Sequence, residues 1–158
     1  MNKYKPHVYI LPEDDANAEI VTGFLLHASI DARYVQVLPP AKGWIKLLEE
    51  FEANHKPEML KNVNEHMIMV LDFDRDLSRR EKVRQHIGDE LIDRVFVLGS
   101  LSEPEALRSD LGSYETIGQL LANECNADTR VTWNHDQLTH NYSELDRMTS
   151  TLKPILFN

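Results

Sequence analysis

With 158 residues, the chain is long enough for one domain with a substantial hydrophobic core and too short for two domains of ordinary size. Its 17 basic and 26 acidic residues give a formal net charge of −9, which argues against a protein that grips nucleic acid over its whole surface. No run of 18 apolar residues is present, and the single cysteine, Cys125, excludes an internal disulfide, so we expect a cytoplasmic protein without a membrane segment.

The first half of the chain alternates short apolar segments with amphipathic ones. Apolar or alternating runs predict strands over residues 7–11, 32–38 and 67–71. Apolar residues at helical spacing predict helices over residues 16–27 and 44–54. Pro39 and Pro40 end the second strand, and a short helical or irregular piece precedes the third strand.

The second half continues the alternation and then becomes helical. A charged, exposed helix over residues 78–87 precedes a buried strand over residues 95–98. Ser102 has the character of an N-cap for the next helix, which Gly112 ends. Two further helices are predicted, from about residue 114 to 126 and from 142 to 151, and Pro154 stops the second of them. The residues between these helices are expected to form a loop or a short edge strand up to Thr132.

Strands that alternate with helices and are apolar almost throughout indicate a parallel sheet that is covered on both faces. We therefore predict an α/β fold with three α/β/α layers around a mostly parallel sheet of four to five strands, with residues 1–158 forming a single domain. Parallel pairing brings the carboxyl ends of the strands to one edge of the sheet. Acidic residues that follow different strands are expected to converge there.

The third strand runs directly into acidic residues. Asp72 and Asp74 are two positions apart, so in extended backbone both side chains leave the same face while Phe73 points into the core. Two neighbouring carboxylates repel each other, and a divalent cation relieves that repulsion. In the alternative interpretation these acids only cap the next helix, with Asp76 or Ser78 as its N-cap.

Acidic residues also follow the first and fourth strands. Glu13, Asp14 and Asp15 come after the first strand, and Glu103 and Glu105 come after the fourth. Carboxylate and water oxygens suit Mg²⁺ or Mn²⁺, whereas zinc prefers histidine or cysteine ligands. The sequence thus predicts an Mg²⁺ or Mn²⁺ site with these candidate ligands: Glu13, Asp72, Asp74, Asp76 and Glu105.

Three segments resemble the motifs of TOPRIM domains, and in particular those of the small and OLD-type TOPRIM nucleases. Residues 10–13 (ILPE) resemble the strand-plus-glutamate motif, residues 71–74 (LDFD) resemble the D-x-D motif, and residues 102–107 (SEPEAL) are similar to the later acidic helix start. Lys42 and Gly43 resemble the glycine turn after the second strand. The resemblance covers roughly residues 7–122.

The resemblance implies a metal-dependent nuclease that cleaves phosphodiester bonds, with DNA a more natural substrate than RNA. Catalysis would then fall to Glu13, Asp72, Asp74 and Glu105. Lys42 and Arg75 are the basic residues nearest to these turns in sequence and are candidates for orienting phosphate. The resemblance also implies a partner ATPase, in some cases in anti-phage defence, or a TOPRIM-like assembly module that binds metal without cutting. A homo-oligomer is compatible with each of these hypotheses.

The chain departs from the TOPRIM pattern at two positions. Asp14 stands where the family usually has glycine, and Asn17 stands where the family often has a second acid. An asparagine ligates a cation only through a neutral oxygen. These departures weaken the case for a second metal ion more than the case for the first.

The first strand also resembles that of receiver domains in two-component signalling. Residues 10–17 (ILPEDDAN) look like the receiver's first strand and acidic pair, which implies that Asp72 is a phosphoacceptor. The receiver pattern would then use Ser100 or Ser102 as the switch hydroxyl and Lys153 as the lysine. That lysine should be followed by a helix, but only five residues follow Lys153. The TOPRIM resemblance is therefore the leading hypothesis and the receiver resemblance the alternative.

Overall fold

Four parallel strands form the sheet at the centre of the computed structural model, which describes residues 5–157. The strands are β1 (His7–Pro12), β2 (Val35–Val37), β3 (Glu65–Val70) and β4 (Val95–Leu98). Their order across the sheet is β2-β1-β3-β4, and every neighbouring pair is parallel. The predicted α/β class with a parallel central sheet is confirmed.

The order of the strands creates a switch point between β1 and β3. The chain first places β2 on one side of β1, where Val8 pairs with Val35, and then places β3 on the other side, where Ile10 pairs with Ile68. The connections on the two sides therefore leave a crevice at the carboxyl ends of β1 and β3. In open α/β sheets, ligands bind in this crevice.

Helices cover both faces of the sheet. They are α1 (Asp15–Leu25), α2 (Trp44–Glu50), α3 (Lys56–Lys61), α4 (Ser78–Ile87), α5 (Glu105–Leu111), α6 (Tyr114–Ala127), α7 (Tyr142–Thr151) and α8 (Lys153–Leu156). A π-helical segment, Phe51–His55, joins α2 to α3. Short 3₁₀ turns occupy Ala32–Tyr34, Ile92–Arg94 and Thr139–Asn141.

The sheet separates two hydrophobic cores. Side chains of β3 alternate between them: Ile68 packs in the core with α1 and α5 to α8, whereas Met67 and Met69 pack in the core with α2 to α4. Both methionines are fully buried and Ile68 is nearly so. The predicted burial of the third strand on both faces, and with it the three-layer arrangement, is confirmed.

Close packing of α1 against α6 sets the position of α1, whose first turn carries site residues. A Cβ atom on Gly23 would lie 2.1 Å from the carbonyl oxygen of Glu115, and one on Gly118 would lie 2.0 Å from that of Ile20. Both distances are far below van der Waals contact. Glycine at these two positions therefore lets the helix backbones touch.

One helix start differs from the predicted one. Ser102 is not an N-cap, because its backbone N–H and its hydroxyl both donate to Oε1 of Gln137, at 2.8 and 2.9 Å. The helix begins instead at Glu105, after Pro104. The last predicted helix has the expected bounds, 142–151, and Pro154 occupies the first turn of a further short helix, α8, where its missing N–H costs little.

One extended segment also differs from prediction. The second strand is shorter than its β-rich sequence suggests, because Asp31 accepts from the N–H of Arg33 at 3.2 Å and starts a 3₁₀ turn instead. Of the loop or short edge strand expected up to Thr132, the described part of the chain has no strand over residues 126–132, which leaves the loop. Across residues 5–157, every helix falls short of the length and apolar character that a bilayer crossing requires.

Candidate metal centre

Three carboxyl groups meet at the switch point. Glu13 directly follows β1, Asp14 is the next residue, and Asp72 lies two residues beyond β3. Each offers one oxygen such that all three oxygens lie within 4.8 Å of one another. Only 7% of Glu13 is exposed, and Asp14 and Asp72 are half-buried. We call these three residues the acidic cluster.

Backbone pairing continues past the strands and fixes the cluster. The N–H of Glu13 donates to the carbonyl of Val70 at 2.8 Å, which extends the pairing of β1 with β3. The N–H of Asp72 then faces Oε2 of Glu13 at 3.5 Å. Asp14 is the N-cap of α1 and accepts from the N–H of Asn17 at 2.9 Å.

The segment after β3 is also held against the segment after β4. Leu71 donates its N–H to the carbonyl of Leu98 at 2.9 Å, and Phe73 donates to that of Ser100 at 3.0 Å. The two backbones approach so closely that a Cβ on Gly99 would lie 1.6 Å from the carbonyl oxygen of Leu71. Glycine at this position therefore allows Ser100 to lie beside Asp72.

Two buried polar side chains hold the aspartates. The amide nitrogen of Asn17 donates to Oδ1 of Asp14 at 2.9 Å and to Oδ1 of Asp72 at 3.1 Å. The hydroxyl of Ser100 lies 3.4 Å from the same Asp72 oxygen. Asn17 and Ser100 are 1% and 3% exposed. Asn17 thus bridges two carboxylates in this structure.

The electrostatics of the cluster favour protonated acids. Burial raises the pKa of Glu13 to about 7, and the negative charges of Asp72 and Asp14 act in the same direction. Burial raises the pKa of Asp72 to about 6, with the carboxylates of Asp14 and Glu105 adding to the shift and the hydrogen bond from Asn17 opposing it. A bound cation would reverse both shifts because it stabilises the ionised forms.

Asp74 lies outside the acidic cluster. The backbone at Asp74 and Arg75 is left-handed, with φ of 51° and 60°, and the N–H of Asp76 donates to the carbonyl of Phe73 at 2.9 Å. These features define a tight turn, so the extended geometry that would align Asp74 with Asp72 does not exist here. The Asp74 side chain is 83% exposed, whereas Phe73 is fully buried as expected.

Asp76 contacts the start of the following helix. Its Oδ1 accepts from the N–H of Ser78 at 3.0 Å and from the hydroxyl of Ser78 at 2.5 Å, at the start of α4. Its other carboxylate oxygen lies 3.7 Å from Nζ of Lys82. The N-cap of α4 is Leu77, so neither Asp76 nor Ser78 holds the N-cap position that the alternative interpretation gave them.

Glu105 and Lys153 are the residues for which the two family resemblances make different predictions. Glu105 is exposed at the start of α5, and its charge contributes to the raised pKa of Asp72. Lys153 contacts a different acid: its Nζ lies 2.7 Å from Oδ2 of Asp128 at the C-terminal end of α6. The lysine that the receiver pattern places beside the phosphoacceptor is therefore engaged elsewhere.

Sequence reasoning missed one basic residue of the site, Arg79 in the first turn of α4. Its Nη1 donates to the carbonyl of Asp72 at 2.7 Å, and its guanidinium lies 4.5 Å from the centre of the Trp44 ring. The signal in the sequence is a cation in the first turn of the helix that follows the acids. Of the two predicted cations, Lys42 contributes its backbone N–H to the carbonyl of Glu13 at 2.6 Å, and Arg75 lies exposed on the turn.

Comparison of the chain with known protein families, with curated proteins and with solved structures finds no match.

Proposed function

We propose that the acidic cluster binds Mg²⁺ or Mn²⁺ and that the protein uses the ion to hydrolyse a phosphodiester bond of nucleic acid. One observation carries the proposal: three carboxylate oxygens lie within 4.8 Å of one another at the switch point of a parallel sheet. Oxygen ligands around Mg²⁺ sit about 2.1 Å from the ion, so oxygens of Glu13, Asp14 and Asp72 that lie within 4.8 Å of one another are close enough to share one ion, with waters completing its coordination.

The three carboxylates of the acidic cluster have different roles in this proposal. Asp14 and Asp72, which Asn17 bridges, serve as the principal ligands. A bound cation would neutralise the non-bridging phosphate oxygens and stabilise the leaving oxygen. Glu13 accepts the proton that the attacking water loses as its oxygen bonds to phosphorus, because a bound cation would keep this carboxyl in the ionised form that can take up a proton. The bond from phosphorus to the leaving oxygen breaks in the same reaction, and that oxygen takes up a proton.

The overall charge of the chain sets a condition on substrate binding. With a formal net charge of −9, the protein repels a polyanion until cations or a partner supply positive charge. The proposed function therefore includes a partner, such as the ATPase that the TOPRIM resemblance implies, that contributes much of the contact with DNA. This part of the proposal rests on the resemblance alone.

The test compares two aspartates that are two residues apart. Asp72→Asn removes a ligand of the cluster, whereas Asp74→Asn changes a side chain that is 83% exposed and outside the cluster. With Mg²⁺ or Mn²⁺ and labelled single- and double-stranded DNA and RNA, we expect Asp72→Asn to lower cleavage by at least about a thousandfold and Asp74→Asn by less than about fivefold. Cleavage that survives Asp72→Asn would refute the proposal.

A second candidate function has one observation in its favour. The hydroxyl of Ser100 lies 3.4 Å from Asp72, as a receiver-like phosphoacceptor site would place its switch hydroxyl. Beryllium fluoride tests it, because this phosphoryl mimic should bind at Asp72 in the presence of Mg²⁺ and the protein should then show no nuclease activity. A non-catalytic assembly module would bind the cation but neither cleave nucleic acid nor take up beryllium fluoride.

A further inference from the structure

Arg79 is held in place beside the acidic cluster by contacts that leave its charge available. Nη1 donates to the carbonyl of Asp72, and the guanidinium stacks on Trp44. The side chain is only 14% exposed, so it is ordered by packing and does not range freely in solvent. Its charge reaches the cluster, since it lowers the pKa of Glu13 against the stronger raising effects of burial and Asp72.

The ion pair of Arg79 is weaker than those of other arginines in the structure. Within residues 5–157, its ion pair is with Asp74, at 3.9 Å between Nη2 and Oδ2, and Asp74 is 83% exposed. By contrast, Arg84 lies 2.7 Å from a carboxylate oxygen of Glu144 and Arg33 lies 2.8 Å from one of Asp31. An ordered guanidinium with a long, solvent-exposed ion pair is well placed to exchange that partner for a ligand anion.

We infer that Arg79 binds a non-bridging oxygen of the substrate phosphate beside the cation of the acidic cluster, an inference that rests on the proposed function. The planar guanidinium matches phosphate with two parallel N–H donors, which an ammonium group does not offer. Asp74 gives up its long contact as the phosphate arrives. Arg79 thus selects for a phosphate group at a site whose acidic residues alone would repel one.

The experiment measures cation and phosphate binding separately, with Mg²⁺ and inorganic phosphate as probes and isothermal titration calorimetry on the full chain. Arg79→Gln and Arg79→Lys are compared with Lys82→Gln, which removes one positive charge from the same helix at a side chain that is 55% exposed. We expect Arg79→Gln to weaken phosphate binding to the Mg²⁺-loaded protein by at least about tenfold, and Lys82→Gln to change this binding by less than about twofold. The loss in Arg79→Lys should lie between these two values.

Mg²⁺ binding without phosphate separates a phosphate ligand from a structural residue. Removing a positive charge near a cation site should leave Mg²⁺ affinity unchanged or raise it by up to about threefold in Arg79→Gln. A loss of Mg²⁺ affinity above about tenfold would overturn the inference, because Arg79 would then act by holding the Asp72 backbone. Phosphate binding that is Mg²⁺-dependent and equal in Arg79→Gln and wild type would overturn it as well, as would a Mg²⁺-loaded wild type that binds no phosphate.

The inference and the proposed function fail in different ways. If the protein cleaves no nucleic acid but still binds phosphate through Mg²⁺ and Arg79, the inference stands and the nuclease proposal falls. If cleavage depends on Asp72 while phosphate binding is the same in Arg79→Gln and wild type, the nuclease proposal stands and the inference falls.

Discussion

Two regions of this protein that bury ionisable side chains differ in what balances the charge. In the acidic cluster, Glu13 is nearly buried beside two further carboxylates. Along the free edge of β4, Glu144 is fully buried but accepts from Nη2 of Arg84 at 2.7 Å and from Nη1 of Arg147 at 2.5 Å. We call the second region the β4-edge network.

The β4-edge network also satisfies the backbone that an edge strand leaves unpaired. Arg147 donates to the carbonyls of Ile92 and Val95, and Arg80 donates to those of Val97 and His140. Glu144 thus has two cationic partners within the chain, and Arg147 and Arg80 donate to backbone carbonyls, which is the pattern of a structural element. Within residues 5–157, the carboxylates of the acidic cluster have hydrogen-bond donors and lie near Arg79 but form no ion pair, which is the pattern of a site that is completed by a ligand.

The largest effect that the comparison predicts is at Glu144. Glu144→Gln removes the charge that both arginines share, so we expect the free energy of unfolding to fall by about 3 kcal/mol. Urea unfolding measures it. The matched control is Asp146→Asn on the same helix, where the carboxylate is 69% exposed in its ion pair with Arg130 and the expected loss is below about 1 kcal/mol. Equal, small losses in the two variants would show that the network is not a structural element.

The acidic cluster should respond to a ligand where the network does not. Mg²⁺ at about one hundred times its dissociation constant should raise the free energy of unfolding by about 2.7 kcal/mol at constant ionic strength. Asp72→Asn should abolish this gain, and Asp74→Asn should keep it, since Asp74 lies outside the cluster. Thermal melts with and without EDTA provide the measurement. A gain that Asp72→Asn retains would place the cation elsewhere.

Much of the fold could be predicted from the sequence because it follows from local periodicity. The buried run from Met67 to Leu71 indicates a central strand, and parallel topology alone predicts that residues after β1 and β3 meet, as Glu13 and Asp72 do here. The position of Asp74 could not be predicted, since two non-glycine residues in left-handed backbone contradict local preference.

Features that depend on tertiary contacts also could not be predicted from the sequence. The ion pair of Arg84 with Glu144 joins residues 60 positions apart, and no spacing rule connects them. Ser102 has the composition of an N-cap, but the side chain of Gln137, 35 positions away, takes both of its donors. Arg79 was missed for a related reason, because its role depends on the carbonyl of Asp72 and the ring of Trp44.

A third prediction concerns stability without any cation. Glu13 carries a raised pKa, so its ionised form costs stability in the ion-free protein, and Glu13→Gln should raise the free energy of unfolding by about 2 kcal/mol at about pH 8 in EDTA. The control is Asp15→Asn, an exposed acid in the first turn of α1 that should give no gain. Glutamine at position 13 should also reduce stabilisation by Mg²⁺, because it removes one of the three carboxylates of the acidic cluster. If Glu13→Gln destabilised the ion-free protein, the buried charge would be paired as in the β4-edge network.

The smallest expected effect is the pH dependence of the stability that Glu13→Gln gains over wild type. The Glu13 pKa is about 7 in the folded protein against an ordinary value of 4.5, so between about pH 8 and pH 6 the folded protein takes up a proton that the unfolded chain does not. Wild-type stability therefore gains a contribution of about 1 kcal/mol as the pH falls through this range, and the advantage of Glu13→Gln shrinks by the same amount.

The quantity to measure is the difference in the free energy of unfolding between wild type and Glu13→Gln, because histidines oppose the pH trend in both proteins. Burial lowers the pKa of His7, His66 and His140, so protonation of these side chains in the unfolded chain reduces stability as the pH falls. Subtracting urea unfolding curves of wild type and Glu13→Gln at each pH removes the histidine contribution. An advantage of Glu13→Gln that stays constant from about pH 8 to pH 6 would mean that Glu13 is ionised throughout, as it would be beside a cation supplied by the chain.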